Sequence, residues 1–273
     1  MATVDEKYSA LLARIGSLQK AAVAFSGGVD SSFLCAAAYK ALGDGAIAVT
    51  VASPMLPKSE LDSAGRTAAL IGITHVCVHE DGIDGEVAAN PRDRCYHCKK
   101  LEFGAIIEAA QARGITAVLD GSNIDDEGDY RPGLKALSEL RVISPLREAG
   151  LTKNDVRELS RRLNLPTWDK PAFACLASRL PYGEGITKKK LSRIEQAEDF
   201  LRAEGFRQFR VRSHGDMARI EVAPEERRRF FDESLLDRVS GRLKALGFLY
   251  VAFELEGYRT GSLNRALSKG EPA

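Results

Sequence analysis

The chain has 273 residues, 44% of them hydrophobic, and its 39 Lys and Arg against 38 Asp and Glu leave a net charge of +1. That is enough for one large α/β domain, alone or with a smaller companion, and the balanced charge disfavours the broad basic face that duplex nucleic acid demands. No apolar run reaches the roughly 18 residues that span a bilayer. Five cysteines, two of them in a Cys-x-x-Cys, do not resemble a secreted disulfide framework, so the expectation is a cytoplasmic protein without a signal peptide.

In chain order, Met1 to Lys20 alternates polar and apolar residues as an amphipathic helix does. Ala21-Ala22-Val23-Ala24-Phe25 has the length and composition of a buried strand, and an Ala-rich helix runs through Leu42. A strand from Ala46 to Ala52, a helix from Lys58 to Ile71 and a strand from His75 to His79 follow. Next come a helix near Lys99 to Arg113, a strand at Ala117 to Leu119, and a helix that Thr152 opens as N-cap. Strands alternating with helices predict a doubly wound parallel sheet, with ligands at the carboxyl ends of its strands. Asp169 to Gly185 is rich in Pro, Gly and small residues and reads as a linker or active-site loop. Beyond it, a charged helix from Lys188 to Glu204, strands at Gln208 to Ser213 and Ala218 to Val222, and a last strand from Leu249 to Leu255 predict a small α+β domain. The expected domains are therefore 1–185 and 186–273, with a frayed polar tail after Gly261.

The first strand ends in Ser26-Gly27-Gly28-Val29-Asp30-Ser31-Ser32 and a helix follows at once. Glycines there admit backbone N–H groups to an oxyanion, serines add hydroxyl donors, and the helix start supplies a positive dipole end. An ordinary glycine turn is the plainer alternative, but Ser-Gly-Gly-x-Asp-Ser between strand and helix favours phosphate. The Lys and spacing of a Walker loop are missing, which disfavours kinase or GTPase chemistry. Asp30 is suited to hold Mg²⁺ beside phosphates, because hard cations take oxygen ligands. The segment resembles the signature of the PP-loop ATP pyrophosphatases, which cleave ATP between the α- and β-phosphates. Gly121-Ser122-Asn123-Ile124-Asp125-Asp126 resembles that family's second nucleotide loop, which implies ATP contacts at Gly121 and Asp125.

Three of the five cysteines are expected in loops. Cys95 and Cys98 sit in Arg94-Cys95-Tyr96-His97-Cys98-Lys99, and Cys175 in Pro171-Ala172-Phe173-Ala174-Cys175-Leu176-Ala177-Ser178-Arg179. Flanking Arg94, Lys99 and Lys100 favour thiolates. A Cys-x-x-Cys admits a redox pair, a zinc clamp with His97 as nominal further ligand, or iron–sulfur ligation. It is not expected at a helix start in a thioredoxin-like βαβ unit, which weakens the redox reading. Cys35 and Cys77 fall inside a helix and a strand and read as inert core residues.

From Ser26 through Ser144-Pro145-Leu146, Leu151-Thr152-Lys153, Pro171–Tyr182, Arg210-Val211-Arg212-Ser213-His214 and Ala218-Arg219-Ile220-Glu221, the chain resembles the LarE family of ATP-dependent sulfur transferases. The resemblance implies adenylation of the carboxylates of pyridinium-3,5-biscarboxylic acid mononucleotide and their conversion to thiocarboxylates, on the route to the nickel-pincer nucleotide of lactate racemase. It further implies a sulfide donor and a homo-oligomer. One branch of the family sacrifices the cysteine that matches Cys175, whereas the set Cys95, Cys98 and Cys175 resembles the branch that binds a [4Fe-4S] cluster. Arg179, Arg210 and Arg212 are then expected at substrate carboxylate or phosphate, because Arg pairs bidentately with both; a salt bridge to Glu221 is the competing role for the strand pair. Three rivals remain at this point. A PP-loop tRNA thiolase requires an RNA-binding surface, an ammonia-using amide ligase makes the cysteines bystanders, and a nucleotide-binding regulator makes them a structural zinc site.

Overall fold

The computed structural model describes residues 2–128, 132–171 and 174–259. Residues 129–131 of the second loop, Ala172 and Phe173 before Cys175, and the tail after Gly261 lie outside them. The chain forms two compact units, Met1–Asp81 with Asp93–Phe173, and Gly82–Arg92 with Ala174–Ala273. The division therefore falls after Phe173 rather than after Gly185, and a short segment from the first half of the sequence joins the second unit.

The first unit opens with α1 (Val4–Gly16), started by a Thr3–Glu6 capping box. There follow β1 (Ala21–Ala24), α2 (Val29–Leu42), β2 (Ala46–Ala52), α3 (Lys58–Ile71) and β3 (Thr74–His79). After α4 (Gly85–Ala88), which lies in the second unit, come α5 (Arg94–Gln111), β4 (Val118–Leu119), α6 (Pro132–Glu139), α7 (Pro145–Glu148) and α8 (Lys153–Arg162). The four strands form a parallel sheet in the order β3-β2-β1-β4. Ile143 adds a parallel bridge to Leu119.

Successive strand residues face opposite sides, so the near-continuous apolar runs of β1 and β2 feed two cores. Ala21, Val23, Ala46 and Ala48 pack with Leu11, Phe33, Leu34, Ala64 and Leu159 from α1, α2, α3 and α8. Ala22, Ile47 and Val49 pack with Phe103 and Ile106 of α5 and Leu137 of α6. Burying a side chain such as Phe33 or Phe103 stabilises by about 1.5–3 kcal/mol. The strand order reverses between β1 and β4, which places the crevice for a ligand at their carboxyl ends.

In the second unit, α9 (Lys188–Ala203) is followed by β5 (Phe209–His214), β6 (Met217–Val222), α10 (Glu233–Ala245) and β7 (Tyr250–Phe253). β5 and β6 form an antiparallel hairpin, and β7 pairs parallel to β6 after α10 crosses over. Leu201, Phe206, Val211, Ile220, Phe230 and Phe248 centre its separate core. Within the stretch read as a linker or active-site loop, Leu176, Ala177 and Leu180 are buried in and beside a 3-10 turn, Leu176–Arg179. Asn90, fully buried at a positive φ of 57°, fastens it to the residues around α4. Its amide donates to the carbonyls of Pro181 at 2.6 Å and Glu184 at 3.0 Å, and its own carbonyl accepts the Gly183 N–H at 2.8 Å.

Candidate functional site

The turn from β1 into α2 is built as the sequence predicts. Gly27 has φ +70°, and a Cβ there would lie 3.0 Å from the Ala64 Cβ, so neither the conformation nor the space admits a side chain. Gly28 caps α2 without a side-chain bond of its own. The Ser31 hydroxyl accepts the Ser26 N–H at 3.3 Å and lies 3.0 Å from the Ser26 hydroxyl. These bonds curl the loop around the helix start. Ser32 is fully buried, and its Oγ has no hydrogen-bond partner among the described residues. A buried orphan hydroxyl is costly, and at a helix N-terminus it fits a site shaped for an oxyanion.

The loop after β4 closes on the same helix start. A Cβ at Gly121 would stand 3.1 Å from the Ser31 nitrogen and 3.3 Å from the Asp30 Cβ. Asn123 Nδ2 donates to Asp30 Oδ1 at 3.2 Å, and the Lys153 ammonium pairs with Asp30 Oδ2. Asp125 turns instead toward α8: its Oδ2 accepts the Lys153 N–H at 2.8 Å, beside the Thr152–Asp155 capping box. A second lysine, Lys170, donates to the Gly27 carbonyl at 2.9 Å and pairs with Glu60 at 2.7 Å. Sequence reading missed both cations as site residues; Lys153 stood in a block that carries the family resemblance, and nothing local marked Lys170. Asp30 is a partly exposed carboxylate whose present cationic partner is a flexible lysine, so its chemistry fits a divalent cation arriving with phosphate oxygens.

Cys95 and Cys98 correct one expectation. α5 starts at Arg94 rather than Lys99, so both thiols stand in its first turns, at a helix start after all. Contacts with α6 explain the longer helix. Tyr96 Oη and Lys100 Nζ both donate to Glu139, at 2.8 and 3.0 Å, and Gly133 lets α6 approach, since a Cβ there would lie 3.1 Å from the Lys99 Cγ. Residues three apart share one helix face, and a helix N-terminus favours thiolate. Cys95 is exposed and Cys98 half-buried, and both are free of disulfides. Cys175, in the second unit, is also free and exposed. Among the described residues no three Cys, His, Asp or Glu side chains are gathered to hold a metal ion; as a donor type, a cysteine thiol outside any disulfide suits iron–sulfur ligation.

Of the two cysteines expected in the core, Cys35 is buried, and burial raises its thiol pKa. Cys77 is exposed instead, because β3 is an edge strand with one bare flank. On the same strand face His75 Nε2 lies 2.8 Å from Thr50 Oγ1. Thr50 donates its own proton to the Phe25 carbonyl at 2.6 Å, which makes Nε2 of His75 the donor.

The three arginines are engaged within the second unit. Arg179, with no exposed surface, forms a fork-to-fork pair with Glu198, both bonds 2.9 Å. Arg212 pairs in the same way with Glu221, at 3.0 and 2.9 Å; the competing expectation was a solvated bridge to that residue, and this one is buried. Arg210 is buried, donates to the Phe209 carbonyl at 2.6 Å and lies over the Tyr258 ring. Burial and then the nearby Arg179 charge hold its pKa below the ordinary arginine value.

A parallel sheet whose first strand runs through Ser-Gly-Gly-x-Asp-Ser into a helix, with a second loop closed over that helix start, defines a PP-loop ATP-using enzyme. The asparagine synthase family model, of the same superfamily, matches residues 8–122. The pyridinium-3,5-bisthiocarboxylic acid mononucleotide synthase of Lactiplantibacillus plantarum is 40% identical over 277 residues, covering 100% of this chain and 99% of that protein. An uncharacterized Synechocystis protein, slr1717, is 44% identical over 267 residues, 97% of this chain and 100% of its own. One component of the glutamine-hydrolyzing GMP synthase of Pyrococcus abyssi is 30% identical over 205 residues, 70% of this chain and 63% of that protein. The chain belongs to the LarE family of ATP-dependent sulfur transferases. No helix among the described residues is long and apolar enough to cross a membrane.

Proposed function

We propose that this enzyme adenylates the carboxylates of pyridinium-3,5-biscarboxylic acid mononucleotide and exchanges one oxygen of each for sulfur, in the synthesis of a nickel-pincer nucleotide. The observation that carries this reading is the 40% identity, end to end, with a protein named for the bisthiocarboxylic product. The phosphate loop supplies the chemistry. A carboxylate is a poor acyl donor because oxide is a poor leaving group. A carboxylate oxygen attacks the α-phosphorus of ATP and pyrophosphate departs. The Ser26–Ser32 backbone, the Ser32 hydroxyl, Lys153 and Lys170 stabilise the charge on the departing oxygens, and Asp30 would hold a Mg²⁺ ion, which would supply further charge neutralisation. A sulfide-level nucleophile then attacks the acyl carbon, and AMP leaves with the original carboxylate oxygen.

Cys95, Cys98 and Cys175 are the residues that would hold a [4Fe-4S] cluster in this reading, and such a cluster supplies an iron left without a protein ligand, able to carry sulfide. Arg210 is the arginine we assign to the phosphate of the mononucleotide. Its support is electrostatic: burial, more than the neighbouring charges of Arg179, Glu198 and Arg212, disfavours its own charge, a cost that a phosphate dianion relieves. A substrate-binding or oligomerisation role for the second unit, and a homo-oligomer, are part of the same proposal.

The test is an anaerobic incubation of the protein with MgATP, sulfide and the biscarboxylic mononucleotide. Thiocarboxylate product, with AMP and pyrophosphate formed only when the mononucleotide is present, is expected. Ammonia or tRNA replacing the mononucleotide as the trigger for AMP release contradicts the assignment. Iron and acid-labile sulfide in the same preparation, lost on Cys95→Ser, Cys98→Ser or Cys175→Ser, are expected of the cluster; stoichiometric zinc contradicts it.

A further inference from the structure

Resting on the reading of Cys175 as the sulfur-handling residue, we infer that Arg179 and Arg212, with Glu198 and Glu221, form a buried double clamp that fixes the Cys175 backbone while leaving its thiol exposed. Arg179 Nη1 donates to the carbonyls of Ala174 at 2.6 Å and Cys175 at 3.0 Å, and to the Ser178 hydroxyl at 2.9 Å. Its other edge is held by Glu198, whose Oε1 also accepts the Val211 N–H of β5 at 3.0 Å. The Cys175 carbonyl takes two more bonds, from the Ser178 N–H at 3.0 Å and the Ser178 hydroxyl at 2.8 Å. Arg212 Nη1 then holds the Ser178 carbonyl at 2.8 Å, with Glu221 clamping its other edge and Arg219 sharing that carboxylate at 3.0 Å.

A short irregular segment is thus tied to α9, β5 and β6 through guanidinium groups rather than through a backbone ladder. The Arg179–Glu198 pair and the Arg212–Glu221 pair are buried, a costly arrangement unless geometry is well satisfied, and one kept where it fixes a conformation. The carbonyl of Cys175 accepts three donors while its side chain remains exposed. That is a mount for a group that must meet its reaction partner in one place. Arg179 and Arg212 are positioning residues in this account, acting on Cys175 and not on the substrate.

The full-length protein and its Arg179→Lys and Glu198→Gln variants are compared in two assays: mononucleotide-dependent exchange of pyrophosphate into ATP, which reads adenylation, and thiocarboxylate formation from sulfide. Adenylation should persist while sulfur transfer falls about a hundredfold, the scale expected of an ångström misplacement. Hydrogen exchange should quicken at the Ser178 amide while the α2 amides keep their protection. Parallel loss of both activities, or no loss of either, overturns the clamp; should Arg179→Lys fail to fold, the near-isosteric Glu198→Gln carries the same comparison. Cys175→Ser separates the two levels of the argument. Full sulfur transfer by Cys175→Ser removes the functional reading, whereas loss in Cys175→Ser beside wild-type behaviour in both clamp variants removes the clamp alone.

Discussion

Ser32 and Asp30 lie just past the glycine turn and do different things there. Ser32 is a buried hydroxyl with no hydrogen-bond partner among the described residues, and Asp30 is a carboxylate bound by Asn123 and Lys153. In the proposed reaction the first donates to a phosphate oxygen, and the second is the residue that would hold a metal ion in place of the ammonium. Ser32→Ala and Asp30→Asn should each lower mononucleotide-dependent AMP formation by about 10²–10³, the loss typical of one donor at a developing oxyanion. Arg210→Ala should leave ATP affinity unchanged and weaken the mononucleotide by about 1.5–3 kcal/mol, one charge-assisted bond. Calorimetric titration and a pyrophosphate assay read both effects. Wild-type AMP formation in the first two variants removes the loop from the mechanism. These residues were legible because glycine, serine and aspartate at fixed offsets have few other uses between a strand and a helix. Lys170 was not, because its bond to the Gly27 carbonyl joins positions far apart in sequence.

Among the elements, β3 shows how far periodicity reaches. His75–His79 reads as a strand, and the strand is there, but its place at the sheet edge is a matter of order in space, so Cys77 was expected in the core and lies exposed. The start of α5 was misread for a related reason: its first turns are held by Glu139 and Gly133 of α6, partners that no local propensity encodes. β3 also carries a pH dependence. Burial holds the His75 pKa below its ordinary value of 6.5. A pKa depressed on folding means the unfolded chain binds the proton more readily. The stability His75 supports is therefore complete above pH 6.5 and declines as pH falls from there toward its folded pKa. His214, likewise lowered by burial and by Arg219, acts in the same direction. Melting temperature should drop on acidification below pH 6.5, less steeply in His75→Gln; identical acid slopes in the two proteins contradict this assignment.

At the level of the whole molecule, the sequence carried the class of fold through its alternation of apolar strands and helices, and the second unit through the change of rhythm after Gly185. The actual division differs because Asn90 binds the segment around α4 to the loop after Cys175. Arg210 and Arg212 were placed correctly on one strand, yet strand spacing alone does not reveal that Glu221 stands opposite Arg210 in register while its carboxylate reaches Arg212. In the proposed reaction one and the same carboxylate is first adenylated and then thiolated. The most direct measurement follows a heavy-oxygen label placed in the carboxylates of the mononucleotide. The account predicts one labelled oxygen in the phosphate of AMP for each thiocarboxylate formed. Thiocarboxylate accompanied by unlabelled AMP, or by ADP and phosphate, would contradict it.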